Sequence, residues 1–493
     1  MNSWRDRAIA LVGIVAAWRI TVMGLTGLGD AEAYYWAWSQ ELDWSYYDHP
    51  PVTAWLIRLF TEIGGDSVFM TRLPSLVLFL ASCYLLYRIT VKLYQDERAG
   101  FWALVVFNIC PIFAVGTLQI LPDLPVVFFW LLFIHFVIRV LEEDRPTLWY
   151  LIGAIVGVAL LSKYMAVLLI PSTLLLLGWH KEYRKHLKQP HIYLGGVLGL
   201  AIFSPVIIWN YIHKFSSFSF HLQSRHDISH SFDPQFALLA LGGQILYYSP
   251  IMWGIMLYIA IDLSKRVLLR KENAIKFAIP FWFGVPSLVF FMLITFWTDD
   301  SEPHWTSLAY LMLFSVWGWY YIKGSKFFQR LSQASVLLSV LVVGVFYVQM
   351  LVPVLPIDEA KYDITNILYG WDEAKEEIVK EYETLPGENN FILSTHYLLG
   401  GQLSFAMKGI APVYVLSSAV DQYDFFKDNR PTIGANFIFV ADERFPSPPE
   451  RNFAFERRDE PVEVNIYRGR KWARVFYVYR CYNYQGEGSR APH

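Results

Sequence analysis

Charge is what this 493-residue chain has least of. Asp, Glu, Lys and Arg make up 17% of it, against about 25% in an ordinary soluble domain. The shortage lies mainly before about residue 355, where long apolar runs follow one another. A surface so poor in charge excludes a soluble enzyme and a disordered chain. Cysteine is scarce as well. Cys83 and Cys110 sit in apolar segments and Cys481 stands alone in the polar tail, so neither a disulfide scaffold nor a paired-cysteine metal spacing can be built. With 41 basic against 43 acidic residues the net charge is −2, which offers no basic surface to nucleic acid. There is no Gly-rich loop of the P-loop or dinucleotide type.

What is present is apolar sequence in membrane-length pieces. Stretches of roughly 20 apolar residues suffice to cross a ~30 Å hydrocarbon core. They occur at 8–28 and near 68–93, 99–117, 124–141, 191–210, 236–261, 277–297, 306–322 and 331–353. The first is too long for the apolar region of a signal peptide, so it reads as an uncleaved transmembrane helix with a cytoplasmic N-terminus. The segment 148–179 is flanked on both sides by basic residues (Arg145; Lys181, Arg184, Lys185, Lys188), which belong to the cytoplasm. An even number of crossings must lie between. The segment therefore reads as two short helices meeting at Ser162-Lys163-Tyr164, with Lys163 at a sunken external turn. The fold class expected is an α-helical polytopic membrane protein of about eleven transmembrane helices, residues 1–355, followed by an external α/β domain, residues 356–493. In that tail, 371–382 and 397–408 read as helices, and 391–394, 413–416, 437–440 and 475–479 as strands.

The external segments gather the acids, histidines and aromatics. Asp30, Glu32, Tyr34 and Tyr35 follow the first helix, and Asp48-His49-Pro50-Pro51 lies further along the same loop. Asp123 directly precedes the fourth helix. Later loops bring His221, Arg225, His226 and Asp227, then Asp299, Asp300, Glu302, His304 and Trp305. Carboxylates at that depth are costly unless paired or chemically employed. Asp123 also reads as an N-cap, with Pro125 in the first turn. The histidines at 213, 221, 226 and 230 read first as a polar loop, and the aromatics of the Asp30 loop as an interfacial belt or as surfaces on which a sugar stacks.

The string DAEAYYWAWSQELDWSYYDHPP, followed by LPDLPVVFFW, LLSKY and SPVIIWN, resembles bacterial members of the dolichyl-phosphate-mannose protein mannosyltransferase superfamily. These are C-type membrane glycosyltransferases and include the aminoarabinose transferase of lipid A. The resemblance covers the membrane part and much less of the tail. It implies inverting transfer of a sugar from a polyprenyl-phosphate carrier to an acceptor at the external face of the bacterial inner membrane. Lipid A, lipopolysaccharide or another envelope glycan is the acceptor implied, with protein O-glycosylation as the rival. By the resemblance, the catalytic base is one of two acids that the family keeps adjacent and that Ala31 separates here: Asp30 is preferred because it directly follows the helix, and Glu32 is the runner-up. Asp123 is implied as their acidic partner, and Lys163, Arg225 and His49 as contacts to the carrier phosphate. His304 and Trp305, with Tyr34 and Tyr35, are implied to contact sugar or acceptor. Asp48 would touch phosphate or, with His221, a divalent metal ion, the one cofactor left open. Partners expected are the lipid-linked donor, the acceptor and membrane lipids, with no nucleic acid. A transporter or flippase is the reading from another class. Against it, the acids cluster on one face and no inverted repeat occurs, although Arg19 inside the first helix has no role in either scheme.

Overall fold

The computed structural model describes residues 3–224, 232–269, 274–298, 302–417, 419–427 and 430–487. Its N-terminal three quarters are helical. Among the described residues six helices are long and apolar enough to cross a membrane: Trp4–Leu25, Val68–Tyr94, Asp123–Glu143, Pro190–Ile212, Ile275–Ile294 and Lys326–Leu351. Pro234–Tyr248 and Pro250–Leu268 meet the test together but bend by 109°, at Ser249 with φ of 66°. The expected span 99–117 is broken at Cys110 into Glu97–Ile109 and Pro111–Gly116, and that at 306–322 is the helix Ser307–Lys323. Helix therefore covers every expected span, while six or seven meet the full-length criterion.

The segment 148–179 divides at the lysine. Helix Leu148–Ser162 is followed by Lys163 in extended conformation, φ −159° and ψ 136°, then by a 3-10 turn Tyr164–Leu168 and helix Leu169–Trp179. The Ser162 hydroxyl turns back onto the Val158 carbonyl at 3.0 Å. A helix of 15 residues reaches ~22 Å at ~1.5 Å per residue, short of the bilayer core.

Contacts sort the chain into two compact units. One holds Met1–Thr21, Asp43–Thr53 and Arg72–Val345; the other holds Val22–Leu42, Ala54–Thr71 and Phe346–His493. The tail thus groups with two pieces of the N-terminal chain as well as with itself.

Close helix packing organises the first unit. Gly153 and Gly157 lie one turn apart on Leu148–Ser162 and face Gly195 and Gly199 of Pro190–Ile212. A Cβ on Gly153 would stand 1.9 Å from the Gly195 carbonyl oxygen. Small residues at four-residue spacing let backbones approach where lipid gives no hydrophobic drive for association. Arg19 finds its place here too. It is 1% exposed, donates to the Phe113 and Ala114 carbonyls at 3.0 and 3.3 Å and lies over the Phe79 ring. The broken span frees carbonyls near Gly116, and a buried guanidinium takes them up.

The second unit contains a six-stranded mixed sheet: β1 (Asn390–Ser394), β2 (Val413–Val415), β3 (Asn436–Asp442), β4 (Phe453–Arg458), β5 (Val462–Arg468) and β6 (Lys471–Glu487). The order is β2-β1-β3-β6-β4, with β5 also paired to β6. β1 runs parallel to β2 and β3, and β6 antiparallel to β3, β4 and β5. Alternation along β3 builds two cores. Ile438 and Val440 pack with Ala374, Ile378, Leu399 and Leu403 of helices Trp371–Glu383 and Tyr397–Ala406, while Phe437 and Phe439 pack with Phe453, Cys481 and Tyr484. Gly370, at φ 85°, starts the first of those helices so close to Ile466 that a side chain would collide. Arg468 of β5 donates to the Gln349 and Met350 carbonyls at 2.6 and 2.7 Å, closing the C-terminal end of the last long helix. His396 caps Tyr397–Ala406, its Nδ1 accepting from the Leu398 amide at 3.3 Å.

Two outcomes follow. Gly153→Val forces the two helices apart, and overpacking of this kind costs about 1–3 kcal/mol. Membrane-inserted protein should fall and the detergent melting midpoint should drop, whereas Gly196→Val, with open space at its Cβ position, should leave both near wild type. His396 must be neutral to cap. Burial, then the nearby Arg444 charge, push its pKa down to about 4, against the opposing pull of Asp442 and Asp30. The folded value lies below the ordinary one, so this cap contributes fully above about pH 6.5 and is lost as pH falls toward about 4. Melting at pH 7.5 and 5.0 should show a smaller acid loss in His396→Asn, which caps without titrating; equal losses would contradict the assignment.

Candidate functional site

In the first unit the helix break aims Lys163 at Asp123. Nζ lies 2.7 Å from Asp123 Oδ1, with the lysine side chain 8% exposed and the carboxylate 33%. His304 completes the cluster, its Nε2 at 3.5 Å from Lys163 Nζ and 3.8 Å from Asp123 Oδ1, while its Nδ1 stands 3.7 Å from Glu302. Asp123 is the first residue of its helix, one past the cap position held by Pro122, and its carboxylate meets the ammonium. The position still helps, because a helix N-terminus favours negative charge. The His304 turn is anchored by Thr306, whose hydroxyl meets that of Tyr248 at 3.3 Å, and Trp305 is buried beside Phe291.

A second group of rings lies around the residue after the lysine. Tyr164 packs edge-on against His221 and Phe218 and meets the Ser217 hydroxyl at 3.0 Å. The His49 ring lies 5.8 Å from His221. His221 Nε2 is 2.7 Å from the Asp48 carbonyl oxygen. That oxygen only accepts, so Nε2 carries the proton, and this contact runs through the Asp48 backbone. Among the described residues no group of three or more His, Cys, Asp or Glu side chains is placed to hold a metal ion. Trp209, of the SPVIIWN string, donates to Asp43 at 2.8 Å. Arg225, His226, Asp227, His230, Asp299 and Asp300 lie outside the described residues.

The other sequence candidates belong to the second unit, on helix Asp30–Gln40. Asp30 is 4% exposed. Its Oδ1 accepts from Gln402 Nε2 at 3.1 Å and its Oδ2 from Arg444. Arg444 is held in turn by Asp442 at 2.7 Å, and Asp442 by Arg474 at 2.8 Å. The result is an alternating row of two acids and two arginines. Burial works against the Arg444 charge, but Asp30 and Asp442 more than offset it and raise its pKa. Glu32, fully buried, bends back so that its carboxylate accepts from the Gly29 amide at 2.9 Å, the reach-back half of a capping box. Tyr34 and Tyr35 are buried. The Tyr34 hydroxyl accepts from the Gln422 amide at 2.8 Å and its ring stacks on Tyr423, while Tyr35 packs edge-on against Trp38.

The sequence reading contains neither Arg444 nor Gln402. The available signal is Asp442-Glu443-Arg444 ending a buried strand, since charges that terminate an apolar run need partners.

Residues 48–209 match the family of dolichyl-phosphate-mannose-protein mannosyltransferases. The chain is 23% identical over 311 residues to the lipid A galacturonosyltransferase RgtD of Rhizobium johnstonii, covering 61% of this chain and 63% of that one. It is 24% identical over 215 residues to the undecaprenyl phosphate-alpha-4-amino-4-deoxy-L-arabinose arabinosyl transferase of Pseudomonas savastanoi, covering 38% of each. The alignments thus span less than two thirds of either relative. The fold agrees over nearly the whole chain with ArnT from Cupriavidus metallidurans bound to undecaprenyl phosphate. The TM-score is 0.64 at 15% identity, over 96% of this chain and 98% of that one; the apo form gives 0.59. Family match, relatives and fold bear out what the motifs carry: the chain resembles the polyprenyl-phosphate-sugar-dependent C-type membrane glycosyltransferases.

Proposed function

We propose that the chain is a glycosyltransferase that moves a sugar from a polyprenyl-phosphate carrier onto lipid A or a related envelope glycan at the external face of the bacterial inner membrane. The observation that carries this is the buried Lys163 ammonium at a helix break, answered by Asp123 and His304. A cation held in a low-dielectric interior stabilises charge that develops on a departing phosphate far better than one in water. The relative named a lipid A galacturonosyltransferase supports the acceptor class, and the one named for an undecaprenyl phosphate-linked sugar supports the donor class.

The proposed step is a single displacement. An acceptor hydroxyl oxygen forms a bond to the anomeric carbon while the bond from that carbon to the phosphate oxygen breaks, and the electron pair leaves on the phosphate. The hydroxyl proton passes to Asp30, and the sugar inverts. Lys163 takes the leaving phosphate, and Asp123 holds Lys163 in place until it arrives. Arg225 and His49 are the further phosphate contacts proposed, and Tyr34, Tyr35, His304 and Trp305 those to sugar or acceptor. Asp48 stays a phosphate contact, or with His221 a metal contact, in the proposal. The mannosyltransferase family match favours protein O-glycosylation as the second reading. Mass spectrometry of glycolipids and glycoproteins from cells with and without the gene separates the two acceptors.

Lys163→Ala should lower transfer on the order of 10²–10³-fold, the range for removing one transition-state contact, with inserted protein near wild type because the partly exposed Asp123 can hydrate. Asp123→Asn should fall between Lys163→Ala and wild type, since the amide still accepts from Nζ. Unchanged transfer by a folded Lys163→Ala variant would end the phosphate role. For the base, Asp30→Asn should lose roughly 10²–10⁴ in rate while carrier binding survives. Glu32→Gln keeps an oxygen for the Gly29 amide and should cost clearly less. The reverse order would assign the base to Glu32.

A further inference from the structure

The first unit contains a groove that the transfer reaction does not use. It has a volume of about 580 Å³ and lies between the start of helix Trp4–Leu25 and the far end of Val68–Tyr94. Its floor is apolar, with Ile9, Val12 and Leu80 among the lining residues, and its rim carries Arg5, Arg88 and Lys92. We propose that it binds an anionic glycerophospholipid, the phosphodiester held by Arg5 and Arg88 and an acyl chain laid along the floor.

Three observations support that occupant. The cations are not equally committed: Lys92 is paired with Glu142 at 2.7 Å, whereas Arg88 donates only to the Tyr84 hydroxyl, at 3.2 Å. The Arg5 contact to Glu97 runs through its backbone amide and not its guanidinium. Two guanidiniums with no carboxylate partner among the described residues thus border an apolar groove, and planar donors of that kind suit phosphate. Second, Tyr87 is among the residues that line the groove, and its hydroxyl has no hydrogen-bond partner among the described residues. Third, Ile9 and Tyr84 are 62% and 59% exposed, so the groove opens sideways, as a diacyl lipid entering from the bilayer requires. Glu97 also lines the groove and sets a like charge against the phosphate, which makes both arginines necessary. Basic pockets between helices on the cytoplasmic side, where the expected topology puts this end, hold anionic head groups in this way.

The test is native mass spectrometry of the full-length protein, titrated with dioleoyl phosphatidylglycerol or dioleoyl phosphatidylethanolamine. The wild type should retain the anionic lipid preferentially. Arg5→Gln with Arg88→Gln should bind it about thirtyfold more weakly, about fivefold for each cation near the surface. Arg88→Lys should keep most of the binding, which separates loss of charge from loss of fold. The control Lys181→Gln with Arg184→Gln removes two basic residues elsewhere and should change nothing. Equal loss in the control pair would reduce the effect to general basic attraction and overturn the site. So would equal retention of the zwitterionic lipid, or competition by sn-glycerol 3-phosphate at the same concentration, which would make it a free-phosphate site.

Discussion

An ammonium inside an apolar helical bundle has to be answered by negative charge, and in the membrane unit the Lys163–Asp123 pair meets that requirement. A charged side chain at the centre of a membrane helix costs about 2.5–3.5 kcal/mol even on the milder scales, so the chain must gain from keeping it. Several local features follow from the pair. The helix before the lysine stops at Ser162, short of a full crossing, so that the side chain leaves an extended residue and not a helical face. The acid is the first residue of its own helix, where backbone amides also favour the carboxylate. His304 approaches both on a short turn. Removing the acid would leave the buried ammonium unanswered, whereas the partly exposed carboxylate can hydrate without the lysine, which ties the helix break to the start of the Asp123 helix.

The tail unit solves the same electrostatic problem with arginine. Asp30, Arg444, Asp442 and Arg474 alternate in sign, and all but Arg444 are buried below a tenth exposed. Guanidinium geometry lets one residue serve two carboxylates without giving up planarity, and Arg444 does so with Asp442 through Nε and Nη2 and with Asp30 through Nη1. Arg468 does comparable work on carbonyls, closing a helix end that has no Gly cap. Both arginines lie outside residues 48–209, the stretch that matches the family, and outside the motif strings, which give no hint of them.

Much of the fold was legible, because periodicity and charge bias record burial directly. The apolar stretches, the division at Lys163 and both tail helices reflect what lipid or core requires of side chains. Strands β4 and β5 were not legible. Their exposed faces carry Glu456, Arg457, Glu463 and Asn465, and half-buried edge strands of that kind lack an apolar run. The helix contact through Gly153, Gly157, Gly195 and Gly199 was present in the sequence, yet spacing on one helix does not say which other helix faces it. At the site, Asp123 and Lys163 were singled out as separate residues. Their pairing across 40 positions is a product of the fold, as is the reach of Arg444 to Asp30 across 414.

What holds each acid decides which can accept a proton. Glu32 binds the amide that starts its own helix, so protonating it weakens the cap that fixes Asp30 and the two tyrosines. Among the described residues the Asp30 carboxylate is held by side chains, Gln402 and Arg444. Of these, Arg444 keeps two bonds to Asp442 when its contact to Asp30 is exchanged. A hydrogen bond to a charged group contributes roughly 1.5–3 kcal/mol, and an acceptor hydroxyl donating to Asp30 replaces part of that directly. The guanidinium stays in place throughout, so the carboxylate can turn from a structural partner to a proton acceptor without rearrangement of the strand behind it. On these grounds the proposed base is Asp30, with Glu32 maintaining the helix that presents it.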